Sequence, residues 1–372
     1  MGHCAGGKVC RVGPVVGGMR ADHETDVAVI GAGQAGLSAA YFLRRAGLAN
    51  ETGFVVLDHG KRAGGAWQYR WPSLKLDKVH GIHDLPGLAL GDTSAHRDSP
   101  ASEVVSAYFD RYERTFDLPV HRPVDVQSVS RTDDGRFLVE SATESWAARG
   151  ILNATGTWDR PFWPYYPGQE TFLGRQLHTA DYAGAAEFRG KRVVVVGGGS
   201  SAVQQLLEIA PFAADTVWVT RRPPEFLEHE FTSDYGRAVV ADVGERVRAG
   251  LPPRSVVGVT GLALTPETRR GIDEGILDRK PMFQRVTPHG VDWADGSTWR
   301  ADTILWATGF RAALDHLAPL RLRGHGGGIR VDGTRVVDEP RVHLVGYGPS
   351  ASTVGANRAG RSAVRELMDT LG

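Results

Sequence analysis

The chain has 372 residues, 41% hydrophobic and 23% charged, which is long enough for two separate cores and ordinary for a globular protein. Lys plus Arg and Asp plus Glu each number 43, so the formal net charge is zero and no overall field draws the chain to nucleic acid or an anionic membrane. Apolar runs such as Val193–Val196 are far too short to cross a bilayer, and the expected location is cytoplasmic.

Glycine-rich Met1–Gly18 lacks the apolar centre of a signal peptide, so residues 1–23 read as a tail, with Met19 as an alternative start. Both cysteines, Cys4 and Cys10, fall here. Their spacing does not fit a C-x-x-C pair and no further Cys exists to complete a zinc site, so dithiol redox chemistry is excluded and no metal is expected.

Asp26–Ile30 predicts a buried parallel strand, short, β-branched and followed at once by glycines. Gly31-Ala32-Gly33-Gln34-Ala35-Gly36 is a G-x-G-x-x-G turn, Leu37–Ala46 has helical spacing, and Phe54–Leu57 is a second strand ending at Asp58. In such a turn the first glycine permits the bend, the second lets the backbone approach a pyrophosphate, and the third packs helix on strand. The helix N-terminus offers unpaired N–H groups to the phosphates, and a carboxylate at the strand end accepts from ribose hydroxyls. Glycine turns alone are common. Strand, turn, helix, strand and acid in one unit predict dinucleotide binding.

Ala101–Phe116 reads as a helix, Val124–Val129 and Phe137–Ser141 as strands of a smaller sheet, and proline-rich Arg160–Pro167 as a hinge between domains. The first unit then recurs: strand Arg192–Val196, turn Gly197–Gly199, helix Ser201–Ala210 and strand Thr216–Thr220. Its turn, Gly197-Gly198-Gly199-Ser200-Ser201-Ala202, ends in Ala, a tolerated replacement for the third glycine. Arg221 and Arg222 stand where the first unit has its acid. A guanidinium fork there pairs with the 2′-phosphate that separates NADPH from NADH; the alternative is a solvated basic turn. Gly261–Arg300 carries weak signals, Thr303–Trp306 and Val342–Val345 are short apolar strands, and Gly360–Leu371 is a closing helix.

Further motifs carry a family resemblance. Gly64-Gly65-Ala66-Trp67, the hinge Ala154-Thr155-Gly156, Phe172-x-Gly174-x-x-x-His178-x-x-x-Tyr182 and a second hinge, Ala307-Thr308-Gly309, follow one another along the chain. From Asp26 to its end the chain resembles the class B flavin-containing monooxygenases, especially short bacterial members that accept sulfides and ketones. Tyr182 at the last motif position resembles the heteroatom oxygenases, where Baeyer–Villiger enzymes carry Trp.

The resemblance implies an α/β fold of two Rossmann-like dinucleotide-binding domains. An FAD domain is formed by residues 24–160 and 301–372, with an NADPH domain, 161–300, inserted between them. It places FAD on Gly31, Gly33, Gln34, Ala35, Gly36, Asp58, Gly65, Trp67, Gln68, Val126, Thr155, Gly156, Thr308, Gly309 and Gly346, with backbone N–H groups near Thr353 facing the flavin pyrimidine. NADPH is placed on Gly197, Gly199, Ser200, Ser201, Ala202, Arg221 and Arg222. The implied reaction passes hydride from NADPH to the flavin and then, with dioxygen through a flavin hydroperoxide, one oxygen atom to a small soft nucleophile or a ketone.

Two departures from the family pattern mark candidate catalytic positions. Ser200 and Asp77 each stand where the family has Asn, near where an oxygenated flavin needs support. Asp77 is either an acid/base group with a pKa raised by burial, or a surface partner of Lys75 or Lys78. Both departures favour an alternative, a flavin reductase or oxidase that passes electrons to a quinone, a protein or dioxygen. A non-catalytic sensor of the NADPH/NADP+ ratio is a third reading. His178 is expected to make a hinge hydrogen bond, and His80 and His83 have no third ligand in view. The expected partners are a small-molecule substrate and dioxygen; a homodimer is allowed, and nothing in the sequence selects it.

Overall fold

The computed structural model describes residues 21–79, 82–227, 243–253 and 261–372; Cys4, Cys10, Met19 and His80 lie outside these described residues. Among them no helix is long and apolar enough to cross a membrane.

The first sheet grows outward from β1 (His23–Ile30), whose Val27, Ala28 and Val29 have no exposed surface. A strand covered on both faces needs apolar residues at consecutive positions, which is what this one has. Helix α1 (Gln34–Arg45) buries Leu37, Ala39, Ala40 and Leu43, and β2 (Phe54–Leu57) pairs parallel to β1. Helix α2 (Ala101–Thr115) follows, then the short β3 (Val120–His121), β4 (Val126–Arg131), β5 (Phe137–Ser141) and β6 (Ser145–Asn153). Strands β4, β5 and β6 form an antiparallel meander, while β6 also pairs parallel to β1 from Trp146 to Asn153.

The second unit contains β7 (Arg175–His178), β8 (Arg192–Val196), α3 (Ser200–Ile209) and β9 (Asp215–Thr220). Next come the paired β10 (Phe226–Leu227) and β11 (Leu262–Ala263), helix α4 (Pro266–Asp273), β12 (Arg279–Pro281), the antiparallel trio β13 (Arg285–Thr287), β14 (Gly290–Asp292) and β15 (Thr298–Arg300), and β16 (Thr303–Trp306). Its five-stranded parallel sheet has the order β12-β9-β8-β16-β7. The chain then returns: β17 (Val331–Asp332), β18 (Arg335–Val336) and β19 (Glu339–Leu344) extend the first sheet from β6, and helix α5 (Thr353–Leu371) packs on α1.

The expected boundary at 300/301 falls one strand too early. Strand β16 pairs with β8 and β7, so it completes the second sheet, and the chain crosses back only at Ala307–Gly309. Residues 243–253, expected inside the inserted domain, place Val247 in a core cluster with Ile329 and Tyr347, and Gly328 N–H donates to Gly250 O. The closing helix starts at Thr353, not Gly360, because Ser352 caps it by accepting from Gly355 N–H at 3.0 Å.

Both glycine turns meet a hinge. A Cβ on Gly31 would lie 2.6 Å from Ala154 O, and one on Gly197 would lie 2.1 Å from Ala307 O; both glycines also have positive φ, +99° and +145°. Replacing Gly197 with Ala should therefore destabilise the protein by about 3 kcal/mol in urea unfolding. Gly199 faces open space, and Gly199→Ala should leave the unfolding midpoint unchanged. His343 is fully buried in the first sheet and bridged to Thr334 Oγ1, and burial pulls its pKa down to about 4. Its neutral form is thus favoured on folding, so its contribution is complete above pH ~6.5 and declines as pH falls toward 4. His343→Gln should flatten the loss of stability between pH 7 and 5; an unchanged slope would remove His343 as its source.

Candidate functional site

The C-terminal ends of β1, β2 and β6 open into a cavity of about 620 Å³. Its wall includes Gly31, Gly33, Gln34, Ala35, Asp58, Gly65, Trp67, Val126, Thr155, Gly156 and Gly346, with Ser350–Ser352 from the turn before α5. These residues come from five separate stretches of sequence, and the fold brings them together at one sheet edge, where open α/β sheets hold their ligands.

The local physics suits a dinucleotide. A Cβ on Gly33 would meet nothing closer than Gly65 Cα at 3.9 Å, so a ligand can approach that backbone. Gly33 caps α1 without a side-chain hydrogen bond, which leaves the turn's N–H groups for an anion. Gly36 packs instead of lining: its Cβ would fall 1.8 Å from Gly31 O. Gln68 stands behind the wall, its Nε2 donating to Arg62 O and Gly65 O, both at 3.1 Å. Thr308 and Gly309 are not in the wall. Thr308 Oγ1 donates to Phe162 O, and Gly309 O accepts from His178 Nε2, so both act at the hinge.

The second turn lies outside this cavity. Ser200 and Ser201 open α3 half-buried, Ala202 is buried, and Gly199 faces open space. Arg221 and Arg222 follow β9 and are exposed. Two neighbours escaped sequence reading. Arg279 braces the end of β9 through Thr220 Oγ1 at 2.9 Å and Thr220 O at 3.2 Å, and Trp218 Nε1 donates to Gly197 O at 2.7 Å. Arg279 lies in the stretch with weak signals, and only the β12–β9 pairing brings it here.

Asp77 does not line the cavity. It is exposed, 3.9 Å from Lys78 Nζ, and Lys78 in turn pairs with Glu267 of α4 at 2.5 Å. This corrects its catalytic assignment: the surface pairing is what the structure has, and the burial an acid/base role needs is missing. His178 has no exposed surface; its Nδ1 accepts from Ala180 N–H at 3.1 Å, so Nε2 carries the proton donated to Gly309 O at 3.0 Å. Burial holds its pKa below the usual imidazole range, consistent with a neutral hinge group. Tyr182 is buried edge-on to Trp71, so the Phe172–Tyr182 motif joins the two units. Among the described residues no group of three or more His, Cys, Asp or Glu is arranged to hold a metal.

An ion-pair network behind Asp58 was not legible either. Asp58 Oδ1 accepts from Ala32 N–H at 3.3 Å, and its Oδ2 pairs with Arg122 Nε at 2.6 Å. Arg122 then grips Glu113 of α2 with both terminal nitrogens at 2.7 Å. Burial alone would lower the Arg122 pKa, but Glu113 and then Asp58 hold it above the ordinary guanidinium range. Replacing Arg122 with Ala strands two buried carboxylates and should cost about 3–5 kcal/mol in urea unfolding. Arg122→Lys should recover less than half of that, because an ammonium cannot make the two-pronged contact.

The chain matches the family described as pyridine nucleotide-disulphide oxidoreductase over residues 28–259. A solved flavin-containing monooxygenase from Stenotrophomonas maltophilia is 36% identical, covers 94% of this chain and 100% of its own, and superposes with a TM-score of 0.79. The uncharacterized oxidoreductase CzcO-like of Geobacillus kaustophilus is 26% identical across 81% of this chain and 88% of its own. The indole-3-pyruvate monooxygenase YUCCA6 of Arabidopsis thaliana is 26% identical across 77% of this chain and 76% of its own. With two glycine turns each closed on a hinge, an open cavity beside the first, and these likenesses, the chain belongs to the flavin-containing monooxygenase family and is a flavin-dependent oxidoreductase.

Proposed function

We propose that the chain is an FAD-containing, NADPH-dependent monooxygenase that transfers one atom of dioxygen to a small sulfide, amine or ketone. The observation that carries this reading is the asymmetry between the two units. One strand ends in buried Asp58 beside an open cavity, the other in exposed Arg221 and Arg222. An acid suits free ribose hydroxyls and repels a phosphate, whereas paired guanidinium groups suit a 2′-phosphate.

In this reading Gly31–Gly36, Asp58, Gly65, Trp67, Val126, Thr155, Gly156 and Gly346 hold FAD, with Gln68 bracing the Gly65 turn. The start of α5 at Thr353 presents its N–H groups beside the cavity wall, where they favour negative charge on a reduced ring. Gly197, Gly199, Ser200, Ser201 and Ala202 hold the NADPH pyrophosphate, and Arg221 and Arg222 its extra phosphate. The FAD domain runs from 24 to about 160 and resumes after Gly309. Bound flavin supplies the redox chemistry; the protein positions the two nucleotides and excludes water.

A second reading, a flavin reductase or oxidase without oxygenation, draws on Ser200. Its side chain is half-buried at the first position of α3, and an Asn there would offer the amide that a serine lacks. The two readings part on stoichiometry. With a sulfide present, the oxygenase forms about one sulfoxide per NADPH consumed, and the oxidase releases hydrogen peroxide instead. For the coenzyme assignment, Arg221→Ala with Arg222→Ala should raise KM for NADPH at least about tenfold and leave KM for NADH within about twofold. Parallel changes in both constants would sink that assignment. Gly199→Ala should also weaken NADPH binding while the protein stays folded.

A further inference from the structure

A directional chain of hydrogen bonds ends at the cavity wall. Thr155 Oγ1 lies 2.6 Å from Ala313 O, which can only accept, so the single hydroxyl proton of Thr155 points there. Thr155 Oγ1 must then accept from Asn153 Nδ2, at 3.0 Å. That fixes the amide of Asn153 with its oxygen toward His316 Nε2, at 2.6 Å, and requires a proton on Nε2. Burial pulls His316 down to about 4, against the opposing charges of Asp315 and Asp125 and together with that of Arg160, so the ring is neutral near pH 7. Its Nδ1 therefore carries a bare lone pair.

No described residue donates to that nitrogen, and His316 lines the cavity together with Asp58, Val124, Asp125 and Val126. The turn that carries it, Asp315–Leu320, packs on β4. Val124 N–H donates to Asp58 O at 2.8 Å, so the 124–126 stretch on which the His316 turn packs lies beside Asp58. His316 adds a neutral acceptor to a part of the wall that also carries the carboxylates of Asp58 and Asp125. The donors an FAD molecule brings to that part are its adenosine ribose hydroxyls and its adenine amino group.

We propose that His316 Nδ1 accepts a hydrogen bond from the adenosine half of FAD, so that the Ala313–Thr155–Asn153–His316 chain makes the cavity select the dinucleotide over FMN. This rests on reading the cavity as the FAD site. His316 is a binding residue here, and Asn153 and Thr155 are positioning residues that set its tautomer.

The test is equilibrium titration of the flavin-free protein with FAD and FMN by flavin fluorescence, and with ADP by competition against FAD. Expected for His316→Ala is at least about a tenfold loss for FAD and for ADP, with FMN affinity unchanged. Equal FAD and ADP affinities in native and variant protein would overturn the proposal, as would an equal loss for FAD and FMN, which is the mark of a purely structural role. The native protein labelled with ¹⁵N-histidine gives a readout independent of the variant's folding. The unprotonated Nδ1 resonance of His316 should move to lower frequency on adding FAD or ADP and stay put with FMN; no movement with FAD bound would contradict it. Native protein that binds neither FAD nor ADP would instead bring down the cavity reading itself, and the inference with it.

Discussion

The structure depends on one repeated close approach, a glycine backbone lying against the carbonyl of a hinge alanine. Gly31 takes Ala154 O and Gly197 takes Ala307 O at distances that no Cβ would allow. Each contact lets a turn fold over the end of its sheet while the neighbouring strand leaves toward the other unit. The same geometry therefore shapes each glycine turn and accompanies the two crossings of the chain between the sheets. Gly36 repeats the constraint within the first turn, which is why the turn holds its shape without side-chain caps.

Onto that shared frame the two units carry opposite chemistry. Asp58 is fixed by the turn's own N–H and by Arg122, whose second carboxylate partner, Glu113, comes from α2. The network makes the acid's position depend on an element distant in sequence, so this part of the cavity wall is held in place. The basic end of the other unit has the reverse character. Arg221 and Arg222 are exposed on the last turn of a strand, and only the backbone beneath them is braced, by Arg279. The proposed division of labour follows from this contrast: exposed guanidinium groups would suit a coenzyme that arrives and leaves, and a locked acid a cofactor that stays.

Much of this was legible because it is written in local pattern. Val193–Val196 and Phe54–Leu57 are contiguous apolar runs beside glycines, and the strands Arg192–Val196 and Phe54–Leu57 have the expected bounds. The central strand β6 was invisible for the opposite reason: Ser145–Asn153 contains Ala, Arg and Gly in place of β-branched residues. Gly150 sits there because Leu367 of α5 packs within 2.8 Å of where its Cβ would be, a long-range demand that no local rule reports. The expected closing helix, Gly360–Leu371, begins too late because Ser350–Gly360 is rich in small residues and carries little helical pattern; the cap on Ser352 sets the start at Thr353. Arg122, Arg279 and His316 have no spacing signature at all. Each becomes part of a site only through strand pairing or a turn that folds back, whereas the Asp77–Lys78 pair joins sequence neighbours and is one of the two readings the sequence leaves open.

The central claim is that these two sites cooperate on one flavin and that the reduced cofactor, once exposed to dioxygen, is protected long enough to oxygenate a substrate. The direct measurement is to reduce the FAD-loaded protein with NADPH without air, mix it with dioxygen in a stopped-flow spectrometer, and follow the absorbance. A near-ultraviolet species that persists for seconds before the oxidised flavin spectrum returns, and that disappears faster with added sulfide, is the predicted result. Direct return of oxidised flavin with stoichiometric hydrogen peroxide and no such species would contradict it, and would identify the chain as a reductase or oxidase.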